Sequence, residues 1–373
     1  MKACSLSILV LVSLQACSNH PTDPSTARAT PVGAPTVAAP APLLGASTGT
    51  ATTAPPPVAA PPRHTFLLPD KPFDKETGFS PEADMAEGQA PSEAHPLGTV
   101  FVAQDYTGTD KPITVTEWDL ERGEAIASTA LPFRSGVCSA RVIRAGDHLE
   151  MMAWAWNEDL HYARLTTDLR IERTDDIGTV AVRGPSAVAS DGSQTIVVAD
   201  GVMDEPSPGH YVTGLYGASY DASGNRIAKR LLLADEGASS LSGTMRDNAV
   251  VAGGKFWVLE SDGSSGLRIV QLGTDLRSVR SLALPPKVYR NPADARLTLD
   301  GARLVVSVSD PHSPEEYEIP LDLSRVTRRA STVATTFPGT SACWRTVSMG
   351  PVRAGLCWCP HSTMCVAWDR VSP

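Results

Sequence analysis

The sequence lacks an apolar run long enough to cross a bilayer, because its N-terminal apolar stretch, residues 6–14, falls well short of the ~20 residues that a membrane-spanning helix needs. It also lacks His-Glu-x-x-His, a glycine-rich phosphate-binding loop and Cys-x-x-Cys-His, so the usual metalloprotease, nucleotide and c-type haem sites are not indicated. No stretch has a convincing helical period, which argues against an α-helical domain. A net charge of −9 argues against a nucleic-acid partner.

Residues 1–16 are typical of a short export signal, in which Lys2 supplies the positive charge before the apolar stretch. The stretch ends in Leu14-Gln15-Ala16-Cys17, which resembles the lipobox of bacterial lipoproteins. The resemblance implies diacylglycerol on the Cys17 thiol, cleavage before Cys17 and acylation of the new amine. Several acyl chains, at ~0.8 kcal/mol per buried CH₂, would hold the chain firmly to a membrane. An ordinary signal peptide followed by a coincidental cysteine is the alternative.

The residue after the cysteine is Ser18, and lipoproteins without aspartate at that position usually go to the outer membrane. The resemblance therefore implies a lipid-anchored protein of the cell envelope, either periplasmic or surface-exposed. Residues 17–63 form the next segment, which is rich in Pro, Ala and Thr and contains no aromatic residue. Such a composition cannot bury enough apolar surface to fold, so we expect a disordered leash. The folded domain is then predicted at residues 64–373.

A dipeptide that ends in aspartate recurs six times in this domain, each time at the end of a β-like run. The six are Trp118-Asp119, Thr167-Asp168, Tyr220-Asp221, Thr274-Asp275, Leu321-Asp322 and Trp368-Asp369. Successive aspartates lie 49, 53, 54, 47 and 47 residues apart. A glycine turn precedes the dipeptide in every unit, at Gly98, Gly146, Gly192, Gly254, Gly301 and Gly350. Each unit has room for four strands, which is typical of propeller blades.

The sequence therefore predicts an all-β, six-bladed β-propeller. Two of its units, Ser190-Asp191-Gly192 and Leu299-Asp300-Gly301 with the strands that follow them, resemble the repeats of TolB-like and related propellers. This resemblance implies an architecture and no site. The sixth unit has only three strands before Pro373, so we expect residues 64–69 to supply the missing strand. A seventh blade within residues 65–95 is the alternative.

Five cysteines remain once Cys4 is lost with the signal and Cys17 carries lipid. Cys343 and Cys357 lie symmetrically about Gly350, and Cys359 and Cys365 lie symmetrically about Ser362. In an oxidising compartment these spacings predict two cross-strand disulfides in the last blade. Cys138 would be left over, and a Cys138–Cys343 bridge is an alternative. A metal site is a further alternative, built from Cys357, Cys359, His361 and Cys365.

Aspartate and histidine recur where the second strands of the units end. The residues in question are Asp105, Asp200, Asp204, His210, Asp262, Asp310 and His312. In a propeller these loops would share one face, which suggests a site for a cation or a polar ligand at the channel mouth. The alternative is ordinary turn chemistry, because aspartate favours such loops. The lengthened third loop, residues 201–210, is the strongest single candidate for a binding insertion.

These observations favour a binding or scaffolding propeller held at the cell envelope by lipid, without a cofactor. The expected partners are the membrane and either another envelope protein or a polysaccharide, and we expect a monomer. The alternative is a propeller enzyme of the hydrolase, lyase or quinoprotein type, with its site in the central channel. Catalysis is the less favoured interpretation, and the sequence assigns no catalytic, cofactor-binding or metal-binding residue.

Overall fold

The structure is a computed structural model, and the residues that it describes all lie within the compact unit Arg63–Pro373. They are residues 64–68, 83–104, 112–133, 137–155, 160–178, 181–207, 210–234, 248–261, 266–285, 295–308, 315–329, 342–359 and 363–370. Within these ranges every helix or strand assigned is a strand, and no helix is present that is long and apolar enough to cross a membrane.

The strands are short, alternate with tight turns and fall into groups of four along the chain. They are β1 (His64–Leu67), β2 (Ala83–Glu87), β3 (Thr99–Gln104), β4 (Thr114–Asp119), β5 (Glu124–Ala130), β6 (Val137–Ala145), β7 (His148–Ala155), β8 (Leu160–Thr166), β9 (Ile171–Asp176), β10 (Ala181–Ser190), β11 (Gln194–Ser207), β12 (His210–Asp221), β13 (Arg226–Ala234), β14 (Ala249–Ala252), β15 (Lys255–Ser261), β16 (Leu267–Leu272), β17 (Ser278–Ala283), β18 (Ala295–Asp300), β19 (Arg303–Val308), β20 (Glu315–Pro320), β21 (Thr327–Arg329), β22 (Ala342–Met349), β23 (Val352–Cys359) and β24 (Thr363–Arg370).

These strands form six antiparallel sheets of four strands arranged in a ring, which confirms the six-bladed β-propeller. Blades 1 to 5 are β2–β5, β6–β9, β10–β13, β14–β17 and β18–β21, and blade 6 is β22, β23, β24 and β1. We name the strands of each blade a to d from the centre outward. Strands a contact one another around the channel, for example β22 with β2 and β2 with β6. The alternative prediction of a seventh blade is wrong, because β1 belongs to blade 6 and β2 is strand a of blade 1.

The core of the protein lies between the blades, because each sheet buries both of its faces. One apolar cluster joins blades 1 and 2 through Phe101 and Leu149, and another joins blades 6 and 1 through Met85 and Leu356. Similar clusters join blades 2 and 3, blades 3 and 4, and blades 4 and 5. Strands b and c are therefore buried along almost their whole length, as in β3 and β4, whereas strands d such as β5 and β17 are largely exposed at the rim.

Four of the six aspartates of the repeat cap the turns between strands c and d, as the sequence predicts: Asp119, Asp221, Asp275 and Asp322. The Oδ1 atom of Asp119 accepts hydrogen bonds of 2.9 Å from the amides of Glu121 and Arg122. Asp221 and Asp322 do the same in blades 3 and 5, where Oδ1 accepts from the amides two residues further on. Backbone donors, Asn225 first among them, hold the pKa of Asp221 below its usual range. The recurring dipeptide therefore marks a turn of the fold.

Three leucines that follow these aspartates adopt a backbone conformation that usually requires glycine. Leu169, Leu276 and Leu323 have φ values of 61°, 62° and 54°. Each amide donates a 2.9 Å hydrogen bond to the carbonyl three residues earlier, which is the geometry of a turn with a left-handed fourth residue. The reason is packing: Leu276 is 1% exposed and lies over Gly217 of the preceding blade. Burial between the blades offsets the backbone strain of about 1–2 kcal/mol.

The ring is closed by β1, which pairs antiparallel with β24 in the register Thr65↔Ala367, as the sequence predicts. Its side chains also reach blade 1, because the ring of Phe66 stacks on Trp118 with centroids 5.4 Å apart. Leu68 is 3% exposed in the cluster between blades 6 and 1. The closing strand therefore completes one sheet and packs on the next.

The disulfide Cys343–Cys357 joins strands a and b of blade 6, as the symmetry about Gly350 predicts. This bond excludes the alternative Cys138–Cys343 bridge. The sulfur atoms lie on the face of blade 6 away from blade 1, where they form a small buried cluster with Cys365 and Ala367. Cys365 is itself disulfide-bonded, to a cysteine whose side chain lies outside the described residues. The Cys359–Cys365 bridge therefore stays a prediction.

Deleting residues 64–70 should abolish cooperative unfolding or cause aggregation, because the edge of β24 would be left unpaired. A milder test is Phe66→Ala, which should lower the free energy of unfolding by about 1–3 kcal/mol in urea. Leu67→Ala is the matched control, since Leu67 is 61% exposed and its loss should change stability by less than about 0.5 kcal/mol. A normal melting curve for the deleted chain would refute closure by this strand.

At Leu276, glycine should be tolerated at least as well as alanine. Leu276→Ala should cost about 2–4 kcal/mol in lost packing, while Leu276→Gly loses one more carbon but relieves the left-handed strain. At Leu259, a fully buried residue of β15, the order should be the usual one, with glycine worse by about 0.5–1 kcal/mol. Urea unfolding of the four variants measures both differences, and the same order at both positions would contradict the explanation.

Candidate functional site

Four of the predicted ligand-face residues lie outside the residues that the structure describes. Strands b end and strands c begin at what we call the b–c face, and the links between blades also lie there. Asp105, Asp262, Asp310 and His312 lie outside the described residues, between strands b and c of blades 1, 4 and 5. The proposed cation or polar-ligand site made by these side chains therefore stays a prediction.

The insertion in blade 3 is a hairpin and not a loop, which corrects the sequence prediction. Strand β11 extends to Ser207 and β12 starts at His210, so Asp200 and Asp204 lie in β11 and His210 is the first residue of β12. The extension stays paired through register shifts, with Gly201 opposite Gly214 and Ser207 opposite His210. Only the backbone of this extension is described, so its part in binding is untested.

Among the residues that the structure describes, no group of three or more His, Cys, Asp or Glu side chains is placed to hold a metal ion. The alternative metal site in blade 6 included Cys357, which is instead bonded to Cys343. Two other members of that set, Cys359 and His361, have side chains outside the described residues.

A ring of polar residues on the inner strands was missed by sequence reasoning. Four strands a have a polar residue four positions before the last residue that pairs with strand b, and β2 has Asp84 three positions before it. The five residues, which we call the inner ring, are Asp84, Arg141, Asn248, Arg296 and Arg345. They lie between the start and the middle of the strands a. In blade 3 the corresponding residue of β10 is Ser186, whose side chain lies outside the described residues.

One arc of the inner ring connects three blades through Asp84. Its Oδ1 atom lies 3.4 Å from Nε of Arg345 in blade 6, and its Oδ2 atom accepts a 2.9 Å hydrogen bond from the amide of Val142 in blade 2. Arg345 Nε also donates to the carbonyl of Met85 at 3.0 Å. Asp84 is only 4% exposed, so this carboxylate is held by contacts from both neighbours. The arc fixes the spacing of three inner strands.

These contacts satisfy backbone groups that the propeller geometry leaves unpaired. Strand a has a partner on one side only, so alternate N–H and C=O groups point into the channel. The amide of Val142 and the carbonyl of Met85 are two such groups, and a side chain of the inner ring caps each one. Part of the ring is thus explained by the need to pair buried backbone polar groups.

Two members of the inner ring keep polar atoms unpaired. Nε of Arg141 and Oδ1 of Asn248 are buried and have no hydrogen-bond partner among the described residues. Arg141 is 7% exposed and Asn248 is fully buried. Buried polar groups are nearly always hydrogen-bonded, so these unpaired atoms indicate a place where something else can bind.

A second polar cluster, between blades 2 and 3, is internally paired. The hydroxyl of Tyr162 donates to Glu150 at 2.5 Å, Arg164 lies 3.2 Å from the same carboxylate, and the ring of Tyr162 stacks on Tyr220 at 3.8 Å. Burial raises the pKa of Glu150, and Tyr162 and Arg164 offset part of this rise. Tyr220 in turn donates to Asp175 at 2.9 Å. The cluster therefore joins two blades, and its charged groups are paired with one another and not directed at a ligand.

A shallow groove of about 370 Å³ lies outside this cluster, on the outer rim of blades 2 and 3. Its charged side chains are engaged across the blade boundary: Arg173 donates to Asn225 at 2.7 Å, and Arg226 lies 3.3 Å from Asp175. These contacts account for the residues that line the groove. We therefore take the inner ring, and not the rim groove, as the candidate functional site.

The inner ring had a signal in the sequence. A polar residue stands five positions before a hairpin glycine in four units: Arg141 before Gly146, Asn248 before Gly253, Arg296 before Gly301 and Arg345 before Gly350. Aspartate and histidine near loops indicate a cation site by their chemistry, whereas an arginine inside an apolar strand has no comparable signature.

Asp84→Ala should lower the free energy of unfolding by about 2–4 kcal/mol, because it leaves Arg345 without its carboxylate and the Val142 amide without an acceptor. Urea unfolding followed by tryptophan fluorescence measures the change. Glu87→Ala is the matched control on the same strand, since Glu87 is exposed and its loss should change stability by less than about 0.5 kcal/mol. Equal stability of both variants would show that the arc does not hold the inner strands.

No family model matches the sequence, and no curated protein matches it. Solved structures do match. A protein of unknown function from Bacteroides caccae is 14% identical over 68% of this chain and 81% of its own, with a TM-score of 0.40. Hydrazine synthase from Kuenenia stuttgartiensis is 14% identical over 63% of this chain and 64% of its own, also with a TM-score of 0.40. With TM-scores of 0.40 these likenesses carry no argument, so the assignment of the propeller fold rests on the strand pairing described above.

Proposed function

We propose that this chain is a binding or scaffolding module of the cell envelope, tethered by lipid on Cys17, which holds its ligand at the channel of the propeller. The inner ring is the observation that carries the binding role. It brings polar side chains of five blades to the inner strands, where those of Asp84, Arg141 and Asn248 are buried, and it leaves Arg141 Nε and Asn248 Oδ1 without a partner among the described residues.

The chemistry of the ring favours binding over catalysis. Three of its five members are arginines, whose guanidinium groups stay protonated at any physiological pH. Such groups orient and neutralise a ligand but do not transfer protons readily. The single carboxylate, Asp84, is already bound to Arg345 and to a backbone amide. A general acid or base needs a group that is free to exchange a proton with the substrate, so these residues suit a binding module better than a propeller enzyme.

The tether is supported by the sequence before the propeller. Leu14-Gln15-Ala16-Cys17 resembles a lipobox, and the leash of residues 17–63 would have a root-mean-square reach of about 35–40 Å as a flexible coil. A disulfide in blade 6 fits an oxidising compartment. A module on such a leash would meet its partners at some distance from the lipid surface.

The tether is tested by growing cells with radiolabelled palmitate and separating membrane from soluble fractions. The wild-type chain should carry label and sediment with membranes, and Cys17→Ser should lose the label. Cys4→Ser is the matched control, because Cys4 lies within the signal and should not affect labelling. Label retained by Cys17→Ser, or absent from the wild type, would contradict the tether.

A further inference from the structure

Arg141 carries a buried positive charge that no carboxylate among the described residues balances. Its side chain is on strand a of blade 2, and the residue is 7% exposed. Among the described residues no carboxylate lies within ion-pair distance of it, and its Nε atom has no hydrogen-bond partner. Its one hydrogen bond runs from Nη1 to the carbonyl of Ala140, at 2.9 Å. An uncompensated buried charge costs several kcal/mol, so an arginine is rarely kept this way without a partner.

The guanidinium group lies at the channel side of its strand. The amide of Val142 is bound by Asp84 of blade 1 and is not used in pairing with strand b, so it points away from the blade. In a β-strand the backbone groups of residues two apart point to the same side, so the carbonyl of Ala140 points the same way. Because Arg141 donates to that carbonyl, its guanidinium group lies along the free inner edge of β6.

The charges around this position favour an anion. Asp84, the one carboxylate of the inner ring, is already engaged by Arg345 and by the Val142 amide, so it does not balance Arg141. The net charge of the chain is −9, and a negative protein does not attract anions over long distances. Binding of an anion must therefore come from local groups such as the Arg141 guanidinium.

We infer that the arc of the inner ring around Arg141 binds an anionic group, a carboxylate or a phosphate, of the ligand. The inference rests on the proposed binding function and narrows its ligand class. A guanidinium group presents parallel N–H donors that match two oxygen atoms of a carboxylate or phosphate, and the unpaired Nε of Arg141 supplies one of them. Arg345 is already bound to Asp84, so Arg141 is the arginine of the arc that is available to the anion.

The test is the melting temperature of the full chain, purified in detergent, with added anions at constant ionic strength. The probes are inorganic phosphate, malonate and oligogalacturonate, which separate free anions from carboxylates carried on a polymer, with sodium chloride as the reference. At about ten times its dissociation constant a bound anion should raise the melting temperature by roughly 2–5 °C. Glucose and spermidine serve as neutral and cationic probes.

Arg141→Met keeps the bulk of the side chain and removes its charge. It should abolish the anion-dependent shift, and without anion it should melt no lower than the wild type, because an unpaired buried charge is replaced by an apolar group. Arg141→Lys keeps the charge but loses the paired donors, so the anion should bind roughly ten-fold more weakly. Arg277→Met, which removes an exposed charge from the c–d turn of blade 4, is the matched control and should keep the full shift.

The outcomes separate this inference from the function on which it rests. A shift that is equally large in Arg141→Met, or no shift of the wild type with any anion, would overturn the anion site. If glucose or spermidine raises the melting temperature and the anions do not, the propeller binds a ligand but the inferred class is wrong. If none of the probes acts, the anion inference fails, while the palmitate experiment still decides the tether independently.

Discussion

The architecture depends on one backbone pairing, between β1 at the start of the folded unit and β24 near its end. Each blade is held to the next by side-chain packing, and only blade 6 joins distant parts of the chain by backbone pairing. Without β1, strand c of blade 6 would present an open edge, and Trp118 of blade 1 would lose the stacked ring of Phe66. The ring of blades requires that closure, and so do the channel and the inner ring of polar residues within it.

The second constraint is that the inner strands of every sheet are buried between neighbouring blades. This requirement explains why leucine occupies a left-handed position in three c–d turns, where local preference favours glycine. A leucine there covers the neighbouring blade, as Leu276 covers Gly217, and a glycine would leave a gap. Interblade packing therefore decides the identity of a turn residue that local backbone rules alone would assign to glycine. The same burial makes the few charged groups inside the ring expensive, which is why most of them are paired.

Several features of the fold could be predicted because their causes are local in sequence. The repeat aspartates cap their own turns, the hairpin at Gly350 places Cys343 opposite Cys357, and residues 64–67 have the apolar character of a missing strand. The blade 3 extension was predicted as a loop because its glycines, prolines and acidic residues favour turns, whereas pairing between β11 and β12 keeps most of it in a hairpin. The inner ring could not be predicted from single strands, since contacts such as Asp84 with Arg345 and Val142 exist only once three blades meet.

Closure by the first and last strands also has a kinetic consequence. Thr65 pairs with Ala367, so the first strand of the fold waits for about three hundred residues to be synthesised before its partner exists. At about 5–20 residues per second this delay is roughly 15–60 s. Contacts so distant in sequence also make folding slow, and an apolar edge is exposed in the meantime. The chain is therefore expected to need protection from aggregation until its last blade is complete, and a lesion near its C-terminus should be as damaging to folding as one near β1.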